Sequence, residues 1–418
     1  MNHDVTAPMT SCIHSVSKLQ GYLHAMTMVF HFISVNPAAV PGGFHQNISH
    51  EMAANGSAVP ASAPEPRPDP PPRDRLTVHH RNERYFTTRV LQTILKPFKP
   101  ALVKAGKLSS SDPTRLDAPK AARKRCDVAE RKVAGLWVYD LVSKQPNQEA
   151  DASKDQHGRR MIYFAGGGWQ MPPSSQHWSL CAELVHRLPD LKVTIVSIPL
   201  APKYPVSVAF PEIELAYCTM LRDSAQAGEP VIVAGDSSGG NIALCMALWT
   251  LKVQNERDVK PPAAILAISP STDLRHEHPD IKPTDKLDPI LTFSSIQSTA
   301  KAWCPCPAFE TPENSEPEAK ANVNLERLDW SFEDPRVSPI KADLSLLTRH
   351  QVKLHGVTGS YDVLGPEAVV FRDKCKEEGV EGEWLEWEGQ MHCFPLAFRY
   401  GLRESKEAMD WIVDVLKE

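Results

Sequence analysis

The stretch Val231-Ile232-Val233-Ala234-Gly235-Asp236-Ser237-Ser238-Gly239-Gly240 constrains the fold of this chain more than any other. Its four leading apolar residues, mostly β-branched, read as a buried strand. Asn241-Ile242-Ala243-Leu244-Cys245-Met246-Ala247-Leu248 then reads as an apolar helix. The junction carries Gly-x-Ser-x-Gly, and a strand that turns this sharply into a helix forces the central serine into a strained backbone with its hydroxyl pushed into the open. Gly235 and Gly239 remove side chains that would collide with strand and helix on either side. The frame centres on Ser237, because a frame on Ser238 would need glycine where Asp236 stands.

A nucleophilic serine needs a base, and the base needs a group to orient it. Behind such a turn the partners follow in the order Ser, Asp or Glu, His, each after a later strand. Residues 352–357 read as a strand that leads into Thr358-Gly359-Ser360-Tyr361-Asp362. Residues 383–387 alternate polar and apolar and lead into Gly389-Gln390-Met391-His392, with a helix expected between the two strands from Pro366 to Glu378. Alone, Asp362 would pass for a loop turn residue and His392 for a surface histidine. In this order and at strand ends they read as a triad with Ser237.

Attack on an acyl carbonyl makes an oxyanion, which needs N–H donors at about 2.7–3.1 Å. Residues 161–164 form a short strand candidate followed by Ala165-Gly166-Gly167-Gly168-Trp169, one strand–helix unit before the serine. Gly166, Gly167 and Gly168 can turn backbone N–H groups toward a ligand, and the N–H of Ser238 completes the expected oxyanion hole. A phosphate cradle is the competing reading, but no Lys-Ser/Thr pair follows the glycines. Trp169 is the expected wall of a substrate pocket.

These segments resemble the α/β-hydrolase superfamily and, within it, the hormone-sensitive-lipase-like carboxylesterases of fungal type. Gly235-Asp236-Ser237-Ser238-Gly239-Gly240 is similar to the group's Gly-Asp-Ser-Ala-Gly-Gly, and Pro199-Leu200-Ala201-Pro202-Lys203-Tyr204-Pro205 to its Tyr-Arg-Leu-Ala-Pro-Glu. Ser269-Pro270-Ser271-Thr272-Asp273-Leu274, Asp334-Pro335-Arg336-Val337-Ser338-Pro339 and the surroundings of Asp362 and His392 also resemble it. The resemblance covers residues 134–418. It implies a mostly parallel central sheet with helices on both faces and a helical lid. It also implies Ser237 as nucleophile, His392 as general base and acid, Asp362 as orienter, and oxyanion donors from Gly167, Gly168 and Ser238. One departure stands out: the group writes His-Gly-Gly-Gly where this chain has Ala165-Gly166-Gly167-Gly168.

The implied activity is hydrolysis of a short-acyl ester, such as an acetyl ester, of a hydrophobic alcohol such as a sterol or secondary metabolite, through an acyl-enzyme and without a cofactor. An amidase or formamidase would use the same triad. Ala165 keeps open a ligand-binding protein with a vestigial triad. A net charge of −5 over 418 residues gives no sign of nucleic-acid binding. Nine cysteines lie without zinc-like spacing, which suggests a reducing, cytoplasmic setting. Cys304-Pro305-Cys306 lacks a second pair, and His276-Glu277-His278 reads as a solvated loop, so no metal site is expected.

Residues 1–75 form a separate segment, with an apolar run in residues 19–40 too short to span a bilayer and a proline-dense linker after it. An anchored, membrane-associated form remains an alternative there, and oligomeric state stays open. The hydrolase portion is expected over 76–418, helical and basic from Leu76, with lid segments at 76–125 and 275–330.

Overall fold

The chain is described by a computed structural model at residues 75–99, 114–144, 158–254, 259–305 and 330–417. All of these belong to one unit, Asp74–Glu418. The amino-terminal segment expected at 1–75 lies outside them, apart from Arg75, as do residues 100–113 of the first lid segment and 306–329 of the second.

Nine strands make one sheet: β1 (Leu76–Arg81), β2 (Cys126–Val133), β3 (Leu136–Ser143), β4 (Arg159–Phe164), β5 (Leu191–Val196), β6 (Val231–Asp236), β7 (Ala264–Ile268), β8 (Lys353–Tyr361) and β9 (Gly382–Met391). Their order is β1-β9-β8-β7-β6-β4-β5-β3-β2. The pairings are parallel from β1 to β5, and β3 and β2 close the far edge antiparallel. The helices among the described residues are α1 (Phe86–Leu95), α2 (Lys120–Arg125), α3 (Ser175–Arg187), α4 (Val206–Gln226), α5 (Ser237–Lys252), α6 (Ile281–Asp285), α7 (Phe293–Trp303), α8 (Ser345–Arg349), α9 (Gly365–Glu377) and α10 (Arg403–Val415).

The middle of the sheet follows from composition. Every residue of β6 and β7 is buried, as parallel strands covered on both faces must be. The α5 helix is apolar nearly all round and buried along almost its whole length, where it packs on β4, β6 and β7. That close approach is what the two elbow glycines permit. A Cβ on Gly239 would lie 2.1 Å from the Phe164 carbonyl oxygen, and one on Gly235 2.3 Å from the Gly239 carbonyl oxygen.

At one point the architecture departs from the sequence reading. The helix expected from Leu76 starts only at Phe86, and Leu76–Arg81 is a strand pairing parallel with β9, from Leu76 against Gly382 to Arg81 against Trp387. The basic, polar character of this stretch reads as the solvated face of an amphipathic helix. An edge strand solvates polar side chains equally well, and Leu76 is its anchor in the core. No helix among the described residues is long and apolar enough to cross a membrane.

Register carries the chain to the site. Phe164, Gly235 and Ala267 are neighbours across β4, β6 and β7, so the segments following these strands emerge at one end of the sheet. The end of β9 arrives there after an irregularity opposite Gly359 and Tyr361. Ser360 Oγ accepts the Gly389 N–H at 2.7 Å and fastens it.

Candidate active site

Asp236 leaves β6 in extended conformation and Ser237 enters the left-handed region at φ +53°, a strained geometry for a non-glycine residue. The start of α5 is braced by two loops: Asn241 Nδ2 donates to the carbonyls of Ser271 and Val337, each at 2.9 Å, and Ser338 Oγ joins those loops by accepting the Leu274 N–H at 3.0 Å. The segments around Ser271 and Val337, singled out in the sequence, thus hold the elbow helix in place.

Asp362 follows β8 and is fully buried; its Oδ1 accepts the Leu364 N–H at 2.9 Å. His392 follows β9, and its Nδ1 lies 2.9 Å from Asp362 Oδ2. Burial alone would lower the His392 pKa, but the Asp362 carboxylate outweighs it and holds the imidazole well above its ordinary value. Ser237 Oγ is not hydrogen-bonded to His392 in this structure; His392 Nε2 is 3.4 Å from Cys393 Sγ. Such bonds often tighten only when a ligand is bound. Burial pushes the Cys393 thiol up to about 12, so it is neutral beside the imidazole. Cys393 itself sits at φ +50° with its N–H on Ser269 Oγ at 3.1 Å, which sets the direction in which His392 leaves the strand.

The glycine loop follows β4. Gly167, Gly168 and Trp169 all have positive φ (+134°, +59° and +57°), a run that turns successive N–H groups toward one side. The N–H groups of Gly167 and Gly168 are not committed to another described residue. That of Gly166 is: it donates to Asp236 Oδ1 at 3.0 Å, which takes Gly166 out of the expected set of oxyanion donors. Ser238 contributes at two levels, because its Oγ accepts the Trp169 N–H at 3.2 Å while its own N–H opens α5.

Asp236 ties down the start of the glycine loop. Besides Gly166 it accepts the Tyr163 hydroxyl at 2.5 Å and meets His177 Nε2 at 3.1 Å. Burial pushes the Asp236 pKa up, and the His177, Tyr163 and Gly166 partners more than reverse that, so its carboxylate stays ionised. His177 is presented from the first turn of α3, where its Nδ1 engages Ser174 in a capping box. Tyr163 and His177 went unnoticed in the sequence because each is unremarkable in isolation, and Asp236 was visible only as the second residue of the elbow.

Helix α7 packs against this loop. A Cβ on Gly168 would lie 2.8 Å from Thr299 Cγ2, and the Trp303 ring stacks on Trp169 at 5.7 Å with planes 10° apart. Trp169 is 3% exposed, so the ring expected as a pocket wall is covered by another ring. His276 is also not the solvated residue expected: it is buried, with Nδ1 2.9 Å from Glu367 Oε2. Its neighbours in sequence misled, since only Glu277 of the three is exposed. No group of three His, Cys, Asp or Glu side chains among the described residues could hold a metal ion. Cys304 is buried, and Cys306 lies outside the described residues.

Comparison with known proteins agrees with this architecture. A family described as alpha/beta hydrolase fold matches residues 161–396. The chain is 29% identical over 239 residues to Esterase LipU of Mycobacterium tuberculosis, covering 57% of this chain and 71% of that one. It is 27% identical over 219 residues to the hormone-sensitive lipase of Ictidomys tridecemlineatus, covering 47% of this chain but only 28% of that one. The solved structure of a hormone-sensitive lipase from a metagenome library superposes with a TM-score of 0.57 at 18% identity, over 78% of this chain and 96% of that chain. With the sheet order, the elbow and the glycine loop in view, the chain belongs to the α/β-hydrolase fold family and is similar to hormone-sensitive lipase.

Proposed function

We propose that this chain is a serine carboxylic ester hydrolase that works through an acyl-enzyme. The observation that carries the proposal is the meeting of His392 Nδ1 and Asp362 Oδ2 at 2.9 Å, at the same end of the sheet where Ser237 stands strained on its elbow. His392 Nε2 takes the Ser237 proton as Oγ bonds to the ester carbonyl carbon. The N–H groups of Gly167, Gly168 and Ser238 carry the oxyanion. The imidazolium, stabilised by Asp362, then gives its proton to the departing alcohol as the C–O bond breaks. Water, deprotonated by His392, attacks the acyl-serine; the acid leaves and Ser237 regains its proton.

The substrate class is a short-acyl ester of a hydrophobic alcohol. In support, Thr299 crowds Gly168 beside the oxyanion donors, and the insertion over the site carries apolar Leu291, Phe293, Ile296 and Trp303. The test is turnover of p-nitrophenyl acetate, butyrate and decanoate beside a matched anilide. Rates that fall with acyl length, with the anilide slow, are expected. Preference for the anilide would favour an amidase, and inertness toward all four the binding-protein reading.

A second expectation concerns pH. With its pKa held up by Asp362, His392 is neutral, and hence a base, only above the ordinary histidine range. The acid limb of kcat/KM should therefore lie above that range, with activity rising as pH climbs through it. The residual activity of Asp362→Asn should show that limb at lower pH. A wild-type limb at or below the ordinary histidine value would contradict the assignment of His392.

A further inference from the structure

Asp362 is not the only carboxylate buried at this end of the sheet. Asp288, in the turn between α6 and α7, is 0% exposed. Its Oδ1 accepts the N–H groups of Ile290 at 2.7 Å and Leu291 at 3.0 Å, within its own turn. Its Oδ2 reaches across to the Val363 N–H at 2.9 Å. The next amide, Leu364 N–H, belongs to Asp362 Oδ1. Two consecutive N–H groups of one backbone turn are thus divided between two carboxylates, one from the lid insertion and one that holds His392. Ile281, Ile296, Val363 and Leu364, with Leu291 and Phe293 against them, keep water from this junction.

A second buried negative charge beside the first is costly unless something uses it. The charged groups acting on Asp288 are Asp362 from the end of β8 and His392 from the end of β9. Burial and Asp362 push its pKa up and His392 pulls it down. Asp285, on the same insertion, is paired with Lys99 at 3.1 Å, and the Cys393 thiol next to His392 is neutral. His392, 2.9 Å from the Asp362 carboxylate whose turn Asp288 shares, is the group of this cluster that becomes cationic, and a negative charge at Asp288 favours that form.

We infer that Asp288 is a positioning residue for the hydrolysis proposed above: it clamps the Asp362 turn to the lid insertion and adds a second negative charge that makes His392 a stronger base. The clamp ties the base to the lid, because α7 begins five residues later and carries Thr299 and Trp303 onto the glycine loop. Replacing the charge should lower the basicity of His392 while leaving the substrate pocket intact.

The test compares wild type, Asp288→Asn, Asp288→Ser and Asp362→Asn in the pH dependence of p-nitrophenyl butyrate hydrolysis and of fluorophosphonate labelling of Ser237, with thermal unfolding as a check on folding. Both Asp288 variants should fold, keep KM within about twofold and lose about tenfold in plateau kcat. Their acid limb should move to lower pH by about half to one unit, in turnover and in labelling alike, because a neighbouring negative charge has been removed. Profiles that superpose on wild type after scaling would overturn the inference, leaving Asp288 a fastener only. Failure of both variants to fold would overturn it in the same direction. If Asp362→Asn left turnover and labelling unchanged, the triad reading itself would fall; a severe Asp362→Asn defect beside wild-type behaviour at Asp288 would reject only the role of Asp288.

Discussion

Replacing Ser237 by alanine is expected to lower kcat for p-nitrophenyl butyrate by roughly 10⁴–10⁶ while KM stays within a few-fold. The reason is that removal of the nucleophile leaves binding and the oxyanion donors in place but deletes the covalent route. The left-handed φ of +53° at this position is carried by the elbow backbone, and alanine has no more Cβ bulk there than serine, so the fold should survive. Ser238→Ala is the informative companion. It removes only the acceptor of the Trp169 N–H, so a loss of a few-fold is expected, a single neutral hydrogen bond being worth about 1 kcal/mol. Equal effects at the two serines, or persistent fluorophosphonate labelling in Ser237→Ala, would refute the assignment.

Asp236→Ala should be the most damaging change that touches none of the proposed triad. It strands the Tyr163 hydroxyl, His177 Nε2 and the Gly166 N–H in a buried place, all of which now converge on one carboxylate. Removing one partner from a buried charged network costs about 3–5 kcal/mol. Because the carboxylate stays ionised through the neutral range, that stabilisation is present at neutral pH and is lost on acidification as pH falls through its lowered pKa. Release of Gly166 should also loosen Gly167 and Gly168, with a loss in kcat of about 10²-fold, comparable to deleting one oxyanion donor. Urea unfolding at pH 7 and kcat measured on the folded fraction test the two parts separately. A variant as stable and as active as wild type would show that the Asp236 network supports neither the fold nor the glycine loop.

Asp236 shows most clearly what a linear reading could and could not reach. As the second residue of the elbow it stood in plain view, yet its partners come from β4 and from α3. Nothing in the spacing of Tyr163, His177 and Asp236 announces that they meet. Asp288 is the same case: a turn aspartate by sequence, it touches the residue after Asp362 only because the insertion folds back over the sheet. Trp169 erred in the opposite direction, since an aromatic beside three glycines suggests a pocket, and only the position of α7 reveals that Trp303 covers it.

By itself the sequence determined the parallel core and the elbow, because buried β-branched runs, glycine at points of sub-3 Å backbone approach and an apolar helix are local demands that few other residues satisfy. It also determined which aspartate and which histidine to suspect, since each follows a recognisable strand. The tertiary structure alone decided the edge position of Leu76–Arg81, the commitment of the Gly166 amide, and the company that Asp236 and Asp362 keep. These depend on how elements far apart in the chain pack together. Hydrogen bonds act over about 3 Å, and whether two polar groups come that close is set by the packing of the elements that carry them.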